Sequence, residues 1–210
     1  MPELTEDLKQ AMAPGRCALL VIDMQNDFCA PGGYIDRIMG KDVSGAAVIC
    51  PALNQLLRQA RVAGVQVVWI GADYTPDRIP VSMRRKLKAR GITAVCCAPD
   101  TWGADWFGVR PLADEPIIIK HNYSGFTGTD LDGLLCSSGV ETLVFAGVQT
   151  QVCVESTVRE AHALGYTAII ARDAVGSHSP QLHEASLMNM QFLFGEVMPV
   201  ADIVSVWAHQ

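Results

Sequence analysis

The chain has little charge and lacks the sequence signals of several protein classes. Only 18% of its 210 residues are charged and 7% are aromatic, and the formal net charge is −6. A negative balance gives no electrostatic basis for binding nucleic acid. No run of eighteen apolar residues occurs, and residues 1–14 contain no apolar stretch of signal-peptide length. We therefore expect a cytoplasmic protein that has neither a membrane nor a nucleic acid as its partner.

Motifs for cofactors and metals are also absent from the sequence. The seven cysteines form no Cys-x-x-Cys pair, and no histidine has the spacing of a zinc site. No Gly-x-Gly-x-x-Gly follows a predicted strand, and neither Gly-Lys-Ser nor Gly-Lys-Thr occurs. We interpret the cysteines as reduced thiols and expect no metal and no cofactor.

What the chain does have is a large apolar fraction, 50%, arranged as a regular alternation of strand and helix patterns. This alternation predicts a three-layer α/β/α sandwich around a mostly parallel, six-stranded, doubly wound, Rossmann-like sheet. A helix with Pro51 near its first turn should end at Gly64. We interpret residues 1–210 as a single domain, with an N-terminal extension at 1–15 and an irregular lid or oligomer-contact segment at 71–115. The strands are predicted at 16–22, 65–70, 116–119, 142–146, 166–171 and 203–206.

Three reactive side chains follow the ends of predicted strands. Asp23 and Lys120 end two apolar runs, and Cys153 is the third residue of a helix if Thr150 is its N-cap. Because the carboxyl ends of parallel strands open onto one crevice, the three side chains should converge there. The helix dipole favours the thiolate of Cys153, and the nearby N–H groups are suited to an oxyanion. This combination predicts acyl transfer by a cysteine nucleophile.

Each of these residues also has a structural interpretation. Cys153 is then a small buried apolar residue, Asp23 caps a turn, and Lys120 extends from the strand end to solvent. Their coincidence at one rim favours the catalytic interpretation. A basic cluster at 84–90 has two interpretations, a solvated helix face or a lid that attracts an anionic substrate.

The motifs around the three residues resemble those of the isochorismatase-like cysteine hydrolases, over roughly residues 16–206. This resemblance implies a catalytic triad, with Asp23 as general base, Lys120 as the stabilising cation and Cys153 as nucleophile. It also implies a cis peptide at Val148-Gln149, an oxyanion site at the N–H groups of Thr150 to Cys153, and a homodimer or homotetramer. The matching segments are Val21-Ile22-Asp23-Met24-Gln25-Asn26-Asp27-Phe28, Lys120 with Tyr123-Ser124-Gly125-Phe126 and Thr129-Asp130-Leu131, and Gly147-Val148-Gln149-Thr150-Gln151-Val152-Cys153-Val154.

Departures from the family's branches narrow the implied substrate. Nicotinamidases carry a metal-binding Asp-x-His pattern, whereas residues 71–77 here contain no histidine. Isochorismatases proper act on a vinyl ether and lack the cysteine, so Cys153 favours C–N cleavage. The segments at 32–34 and 123–129 look most like the enzymes for ureidoacrylate, biuret, triuret and N-carbamoylsarcosine. The resemblance therefore implies a ureide or carbamoyl amidohydrolase that forms a thioester or thiocarbamate on Cys153 and releases ammonia. A nicotinamidase-like amidase, a vinyl-ether hydrolase and an inactive scaffold remain alternatives.

Polar and aromatic residues near the motifs are the candidate substrate-binding groups. For each aromatic residue, ordinary core packing is the competing interpretation. Gln151 is a further polar candidate, although many relatives have aspartate there, and the five histidines are interpreted as structural or surface groups. The candidates are Asn26, Phe28, Tyr34, Trp69, Tyr74, Tyr123, Phe126 and Gln149.

Overall fold

A computed structural model describes residues 5–209 and shows a six-stranded sheet in the order β3-β2-β1-β4-β5-β6. Every neighbouring pair of these strands is parallel. The predicted doubly wound sheet is therefore confirmed. The strands are β1 (Cys17–Ile22), β2 (Gln66–Ala72), β3 (Ile117–Lys120), β4 (Thr142–Val148), β5 (Thr167–Gly176) and β6 (Glu196–Met198).

Nine helices are described, and the longer ones cover both faces of the sheet. They are α1 (Glu6–Ala11), α2 (Asn26–Cys29), α3 (Tyr34–Arg37), α4 (Ser44–Ala63), α5 (Val81–Ala89), α6 (Leu131–Ser137), α7 (Glu155–Leu164), α8 (Pro180–Leu193) and α9 (Val200–Ala208). Short 3-10 turns lie at Pro14–Arg16 and Trp102–Ala104, and a π-helical turn lies at Thr150–Val154.

Alternate residues of β1 face opposite layers, as strand geometry requires. Leu19 and Val21 pack with residues of α4 and α9 in one core cluster. Leu20 and Ile22 pack with residues of α6, α7 and α8 in the other cluster. Because both faces are covered, β1 is apolar throughout, and its first polar neighbour, Asp23, comes only where the strand ends.

The segment predicted as the last strand, 203–206, is helical. It lies within α9, and β6 lies earlier, at Glu196–Met198. Val200, Ile203 and Trp207 are buried at spacings of three and four residues, the period of a helix face. A short apolar run of this kind satisfies a strand pattern and a helix pattern alike, and here the longer period decides.

The position of Pro51 was also predicted wrongly. α4 begins at Ser44, so Pro51 lies inside the helix and not near its first turn. Its side chain is exposed. The predicted end of the helix is confirmed, because Gly64 forms a left-handed cap with φ of 75°.

Parts of the predicted N-terminal extension and of the irregular segment at 71–115 have defined structure. Residues 1–4 of the N-terminal extension lie outside the described residues, and the remainder includes α1. The segment at 71–115 is irregular apart from the end of β2, the turn at Trp102–Ala104 and α5, which carries the basic cluster. No helix within residues 5–209 reaches the length and apolarity that crossing a membrane would need.

The sheet reverses its winding direction between β1 and β4, the point at which doubly wound sheets bind ligands. Ile22 pairs there with Gly147, whose φ is 111°. A Cβ atom on Gly147 would lie 2.0 Å from the carbonyl oxygen of Ile22. Glycine is therefore required at this position for the chain after β4 to pass close over the end of β1.

Candidate active site

A buried ion pair joins the ends of β1 and β3. Nζ of Lys120 lies 2.9 Å from Oδ2 of Asp23, and both side chains are fully buried. Asp23 has a left-handed backbone, with φ of 52°, a conformation that aspartate adopts more readily than most residues. The geometry thus brings an acid and a base, 97 positions apart in the printed sequence, into direct contact.

Cys153 and Tyr74 complete the charged centre. Sγ of Cys153 lies 3.6 Å from Nζ of Lys120 and 3.7 Å from the hydroxyl of Tyr74. Lys120 donates a hydrogen bond of 2.8 Å to that hydroxyl. Lys120 therefore contacts the Asp23 carboxylate, the Tyr74 hydroxyl and the Cys153 sulfur. The sequence indicated Tyr74 only as a wall residue and not as a partner of the lysine.

Burial dominates the ionisation of this centre. Burial, followed by the negative charge of Asp23, raises the pKa of the Cys153 thiol to about 12, although Lys120 opposes the shift. The thiol is therefore neutral at pH 7, contrary to the expected thiolate, because burial and the charge of Asp23 outweigh the charge of Lys120. Burial also raises the pKa of Asp23. Burial lowers the pKa of Lys120, but the charge of Asp23, and that of Cys153 in its ionised form, outweigh burial and raise it.

The ion pair places an ammonium beside a carboxylate, and the raised pKa of Cys153 leaves its thiol neutral. Within residues 5–209, neither carboxylate oxygen of Asp23 makes a well-aligned hydrogen bond. The carboxylate therefore has free acceptor positions beside the thiol, and its raised pKa makes it a stronger base than an exposed aspartate. This arrangement suits transfer of the thiol proton to Asp23.

The turn that carries Cys153 starts one residue earlier than predicted. Gln149, not Thr150, is the N-cap, and its carbonyl oxygen accepts from the N–H groups of Val152 and Val154. Thr150 instead hydrogen-bonds Nδ1 of His183 at 2.9 Å. Cys153 is consequently the fourth residue of the turn. The cis peptide expected at Val148-Gln149 is confirmed.

A cavity of about 250 Å³ opens onto Cys153. Five of the predicted substrate-binding residues line it, namely Phe28, Tyr34, Tyr74, Tyr123 and Gln149. Phe28 and Tyr123 each contact Tyr74 edge to face, with ring centroids 6.1 and 6.4 Å apart. The aromatic walls therefore also hold in place the tyrosine that contacts Lys120.

Three predicted substrate-binding residues do not line this cavity. The amide of Asn26 donates to the carbonyl of Trp102, and the indole of Trp69 donates to Glu115. Phe126 is buried and stacks on Tyr166 in the second core cluster. For these three the structural interpretation applies, because each side chain is occupied by core contacts. Gln151, the further polar candidate, does not line the cavity either, and its amide atoms are buried without a hydrogen bond to any residue of 5–209.

The sequence did not indicate His178 or the wall of the cavity that α5 forms. His178 lines the cavity, and Oε1 of Gln149 accepts from its backbone N–H at 2.9 Å. Burial, with the nearby Lys41 charge, lowers the pKa of His178, so its imidazole is neutral at pH 7. No sequence motif marks this residue. The other missed residues are Ile35, Met39, Met83, Lys86, Leu87, Arg90, Ala94, Cys96 and Val152, and the basic cluster was the signal for two of them.

The part of the chain that carries these site residues matches known proteins. A family model described as the isochorismatase domain matches residues 17–202. The chain belongs to the isochorismatase family. Two ureidoacrylate amidohydrolases named RutB are similar to it. The one from Methylobacterium radiotolerans is 36% identical and covers 93% of this chain and 81% of its own length. The one from Azorhizobium caulinodans is 33% identical, with 99% and 96% covered.

Solved structures of the isochorismatase family share this fold. The crystal structure of a cysteine hydrolase from Pseudomonas syringae pv. phaseolicola matches with a TM-score of 0.82 and 28% identity. The match covers 93% of this chain and 94% of that one. The resemblance inferred from the motifs is thus confirmed, and the chain is a hydrolase of this family.

One side-chain group in this isochorismatase-family hydrolase has metal-ligating atoms close together. Among the described residues, Asp27, Cys96 and Cys97 place a carboxylate oxygen and two sulfur atoms within 4.8 Å of one another. Both oxygens of Asp27 already accept backbone N–H groups, from Tyr34 and Cys97. These bonds tie the half-buried Asp27 to the loops beside the cavity.

Proposed function

We propose that the protein is a cysteine amidohydrolase that cleaves a C–N bond in a small ureide or carbamoyl compound. The observation that carries this proposal is the contact of Cys153 with the Lys120–Asp23 ion pair at the cavity. The similarity to two ureidoacrylate amidohydrolases supports the substrate class. Asp23, Lys120 and Cys153 are the proposed catalytic residues.

The first half-reaction forms a covalent intermediate on sulfur. As Sγ of Cys153 attacks the carbonyl carbon, the thiol proton moves to the carboxylate of Asp23. The electron pair of the C=O bond moves to oxygen, and the N–H groups of the turn from Thr150 to Cys153, other than that of Val152, stabilise the resulting oxyanion. The C–N bond then breaks, and the departing nitrogen takes the proton from Asp23.

The second half-reaction regenerates the enzyme. A water molecule gives one proton to Asp23 as its oxygen attacks the thioester or thiocarbamate carbon. The C–S bond breaks, and Asp23 returns the proton to sulfur. Lys120 keeps its charge throughout, since its pKa is raised, and it stabilises the anion on whichever partner carries it. For a ureide R–NH–CO–NH₂ the first departing nitrogen is either ammonia or the amine, and decomposition of the resulting carbamate releases the other one together with carbon dioxide.

The segment after β2 is where nicotinamidases carry their metal-binding Asp-x-His pattern, and here it contains Asp73 without a histidine at 71–77. Asp73 forms a 3.0 Å ion pair with Arg78 and accepts a 2.6 Å hydrogen bond from Thr75. The Oδ1 atom of this carboxylate is therefore hydrogen-bonded, and its Oδ2 atom is paired with Arg78 but makes no well-aligned hydrogen bond within residues 5–209. The vinyl-ether and inactive-scaffold alternatives do not require a nucleophile at Cys153, which lies in the cavity against Lys120.

The deciding experiment measures ammonia release across ureidoacrylate, biuret, triuret, N-carbamoyl amino acids and nicotinamide. Mass spectrometry of enzyme quenched during turnover should show an acyl or carbamoyl adduct on Cys153. Turnover of ureides with this adduct supports the proposal. Hydrolysis of nicotinamide alone, turnover without any adduct, or no turnover on any compound would each refute it.

We also propose that the chain is a single cytoplasmic domain that assembles as a homodimer or homotetramer. All seven cysteines are free, which suits a reducing compartment. Met188, Phe192 and Leu193 on α8 are at least 63% exposed, and such an apolar surface favours self-association. Light scattering coupled to size-exclusion chromatography will measure the mass. A monomer at micromolar concentration would refute the assembly.

A further inference from the structure

The cavity has two positive charges at the wall formed by α5. Lys86 and Arg90 line it together with Met83 and Leu87. Their spacing of three or four residues places these side chains on one face of the helix and its C-terminal cap. The apolar members pack into the wall, with Met83 buried, whereas Lys86 and Arg90 are exposed at its edge.

Protein carboxylates do not balance these two charges. No aspartate or glutamate within residues 5–209 lines the cavity. Among residues 5–209, every ion pair formed involves other side chains, and neither Lys86 nor Arg90 takes part in one. Arg84 on the same helix differs, because its guanidinium donates to the carbonyl of Pro76. Lys86 and Arg90 thus keep their donors available to a bound molecule.

The charge deeper in the site does not offset this excess. Asp23 and Lys120 neutralise each other, and Cys153 is a neutral thiol at pH 7. The field of Arg90 reaches the inner walls, since it is one of the charges that oppose the burial-driven rise in the pKa of Tyr123. A substrate in the cavity therefore meets a neutral reaction centre at one end and uncompensated cations at the other.

We propose that Lys86 and Arg90 bind a carboxylate on the substrate, at the end remote from the scissile ureide carbon. This inference rests on the proposed function and deepens it. A cavity of about 250 Å³ is smaller than the range of roughly 300–1,000 Å³ typical of drug-sized ligands, so the substrate is one compact acid. The two cations select anionic ureides over neutral ones such as biuret and triuret.

The competing interpretation is an ordinary solvated helix face that happens to border the cavity. The two interpretations differ in one measurable respect, the dependence of turnover on substrate charge. A charge-assisted hydrogen bond that the substrate makes equally in the ground and transition states lowers KM and leaves kcat almost unchanged. If Lys86 and Arg90 belong only to a solvated helix face, replacing them changes neither KM nor kcat, whether the substrate is charged or neutral.

The test compares ureidoacrylate with its methyl ester, which presents the same ureide on a neutral tail. The variants are Lys86→Gln, Arg90→Gln and their combination. Lys88→Gln and Arg85→Gln are matched controls, because both residues lie on α5, are exposed and do not line the cavity. Arg90→Lys tests rescue by retained charge.

We expect the unsubstituted enzyme to prefer the acid by about a hundredfold in kcat/KM. Each single substitution should lower kcat/KM for the acid about tenfold, through KM, the effect of losing one charge-assisted hydrogen bond. The ester should be unaffected, and Arg90→Lys should retain most of the activity. Raising the salt concentration should increase KM for the acid only.

Binding to the Cys153→Ala variant gives a second readout that is independent of turnover. Calorimetry should show binding of the acid that is weakened by Lys86→Gln and Arg90→Gln, with the ester binding weakly throughout. Equal use of acid and ester, equal losses on both substrates, or losses in the Lys88→Gln and Arg85→Gln controls would overturn the carboxylate site and leave the proposed function standing. No turnover of any ureide by the unsubstituted enzyme would refute the proposed function instead.

Discussion

The reaction centre (Asp23, Lys120 and Cys153) and the cavity mouth (Lys86 and Arg90) differ in how their charges are stabilised. At the centre, Asp23 and Lys120 are fully buried and contact each other, so each charge has a protein partner. At the mouth, Lys86 and Arg90 are exposed and have no ion-pair partner within residues 5–209. A buried charge must be paired within the protein, whereas an exposed charge is stabilised by water and remains free for a ligand. This difference agrees with the proposed roles, catalysis at the centre and substrate recognition at the mouth.

The largest expected effect separates the nucleophile from every other cysteine. Cys153→Ala should lower kcat/KM by at least about 10⁴-fold, because without the sulfur no covalent intermediate forms. Ammonia release measures the activity, and circular dichroism during heating should show an unchanged fold. Cys136→Ala, at an exposed cysteine, is the matched control and should keep full activity. Comparable losses in both variants would contradict the assignment.

Breaking the buried pair on one side should affect folding as well as activity. Lys120→Met leaves the Asp23 carboxylate buried without its cation, which should cost about 3–5 kcal/mol in the free energy of unfolding. The double variant Asp23→Asn, Lys120→Met should recover most of this loss, because both charges are gone. Urea denaturation measures the three values. A double variant that is less stable than Lys120→Met would contradict the pairing.

The pH dependence should follow Asp23 and not the thiol. Asp23 must be ionised to accept the proton of Cys153, so kcat/KM should fall about tenfold per pH unit below its pKa. Burial places that pKa above the usual value of 3.8. On the alkaline side the raised pKa of Lys120 keeps the ammonium charged up to at least its usual value of 10.5.

The reactivity of the Cys153 sulfur gives an independent check on this pH dependence. With a pKa of about 12, Cys153 should react slowly with iodoacetamide at pH 8. The exposed Cys136 should react faster, and peptide mass spectrometry will compare the two. A rate profile that rises with thiolate formation near pH 8–9 would show that Asp23 is not the base.

The smallest effect is expected at the edge of the centre. Tyr74→Phe removes the hydroxyl that accepts from Lys120 and donates toward Asn122, and kcat should fall about five- to tenfold. Tyr166→Phe removes a hydroxyl bonded to Asp132 in the second core cluster and should leave kcat unchanged. An unchanged kcat in Tyr74→Phe would show that Lys120 is positioned by Asp23 alone.

The sequence predicted most of the sheet and the convergence of its three reactive residues. Asp23 ends β1, an apolar run that is covered on both faces, and Lys120 ends β3, an apolar edge strand whose Ile117 and Ile119 are exposed on one face. The prediction of the last strand was wrong because residues 203–206, three of them apolar, are too few to show a decisive period, and α9 contains them. The substrate-binding candidates divided in the same way, since Asn26, Trp69 and Phe126 have the right chemistry but face core partners.

Local pattern alone therefore determined the fold class, the family motifs and the positions of five of the six strands, because these depend on periodicity and residue type along the chain. Tertiary packing decided the protonation state of Cys153, the role of Tyr74 beside Lys120 and the approach of α5 to the cavity. Desolvation and through-space contact set these properties, and both depend on segments distant in sequence. A helix terminus favours a thiolate, but the residues packed around the sulfur determine whether one exists at rest.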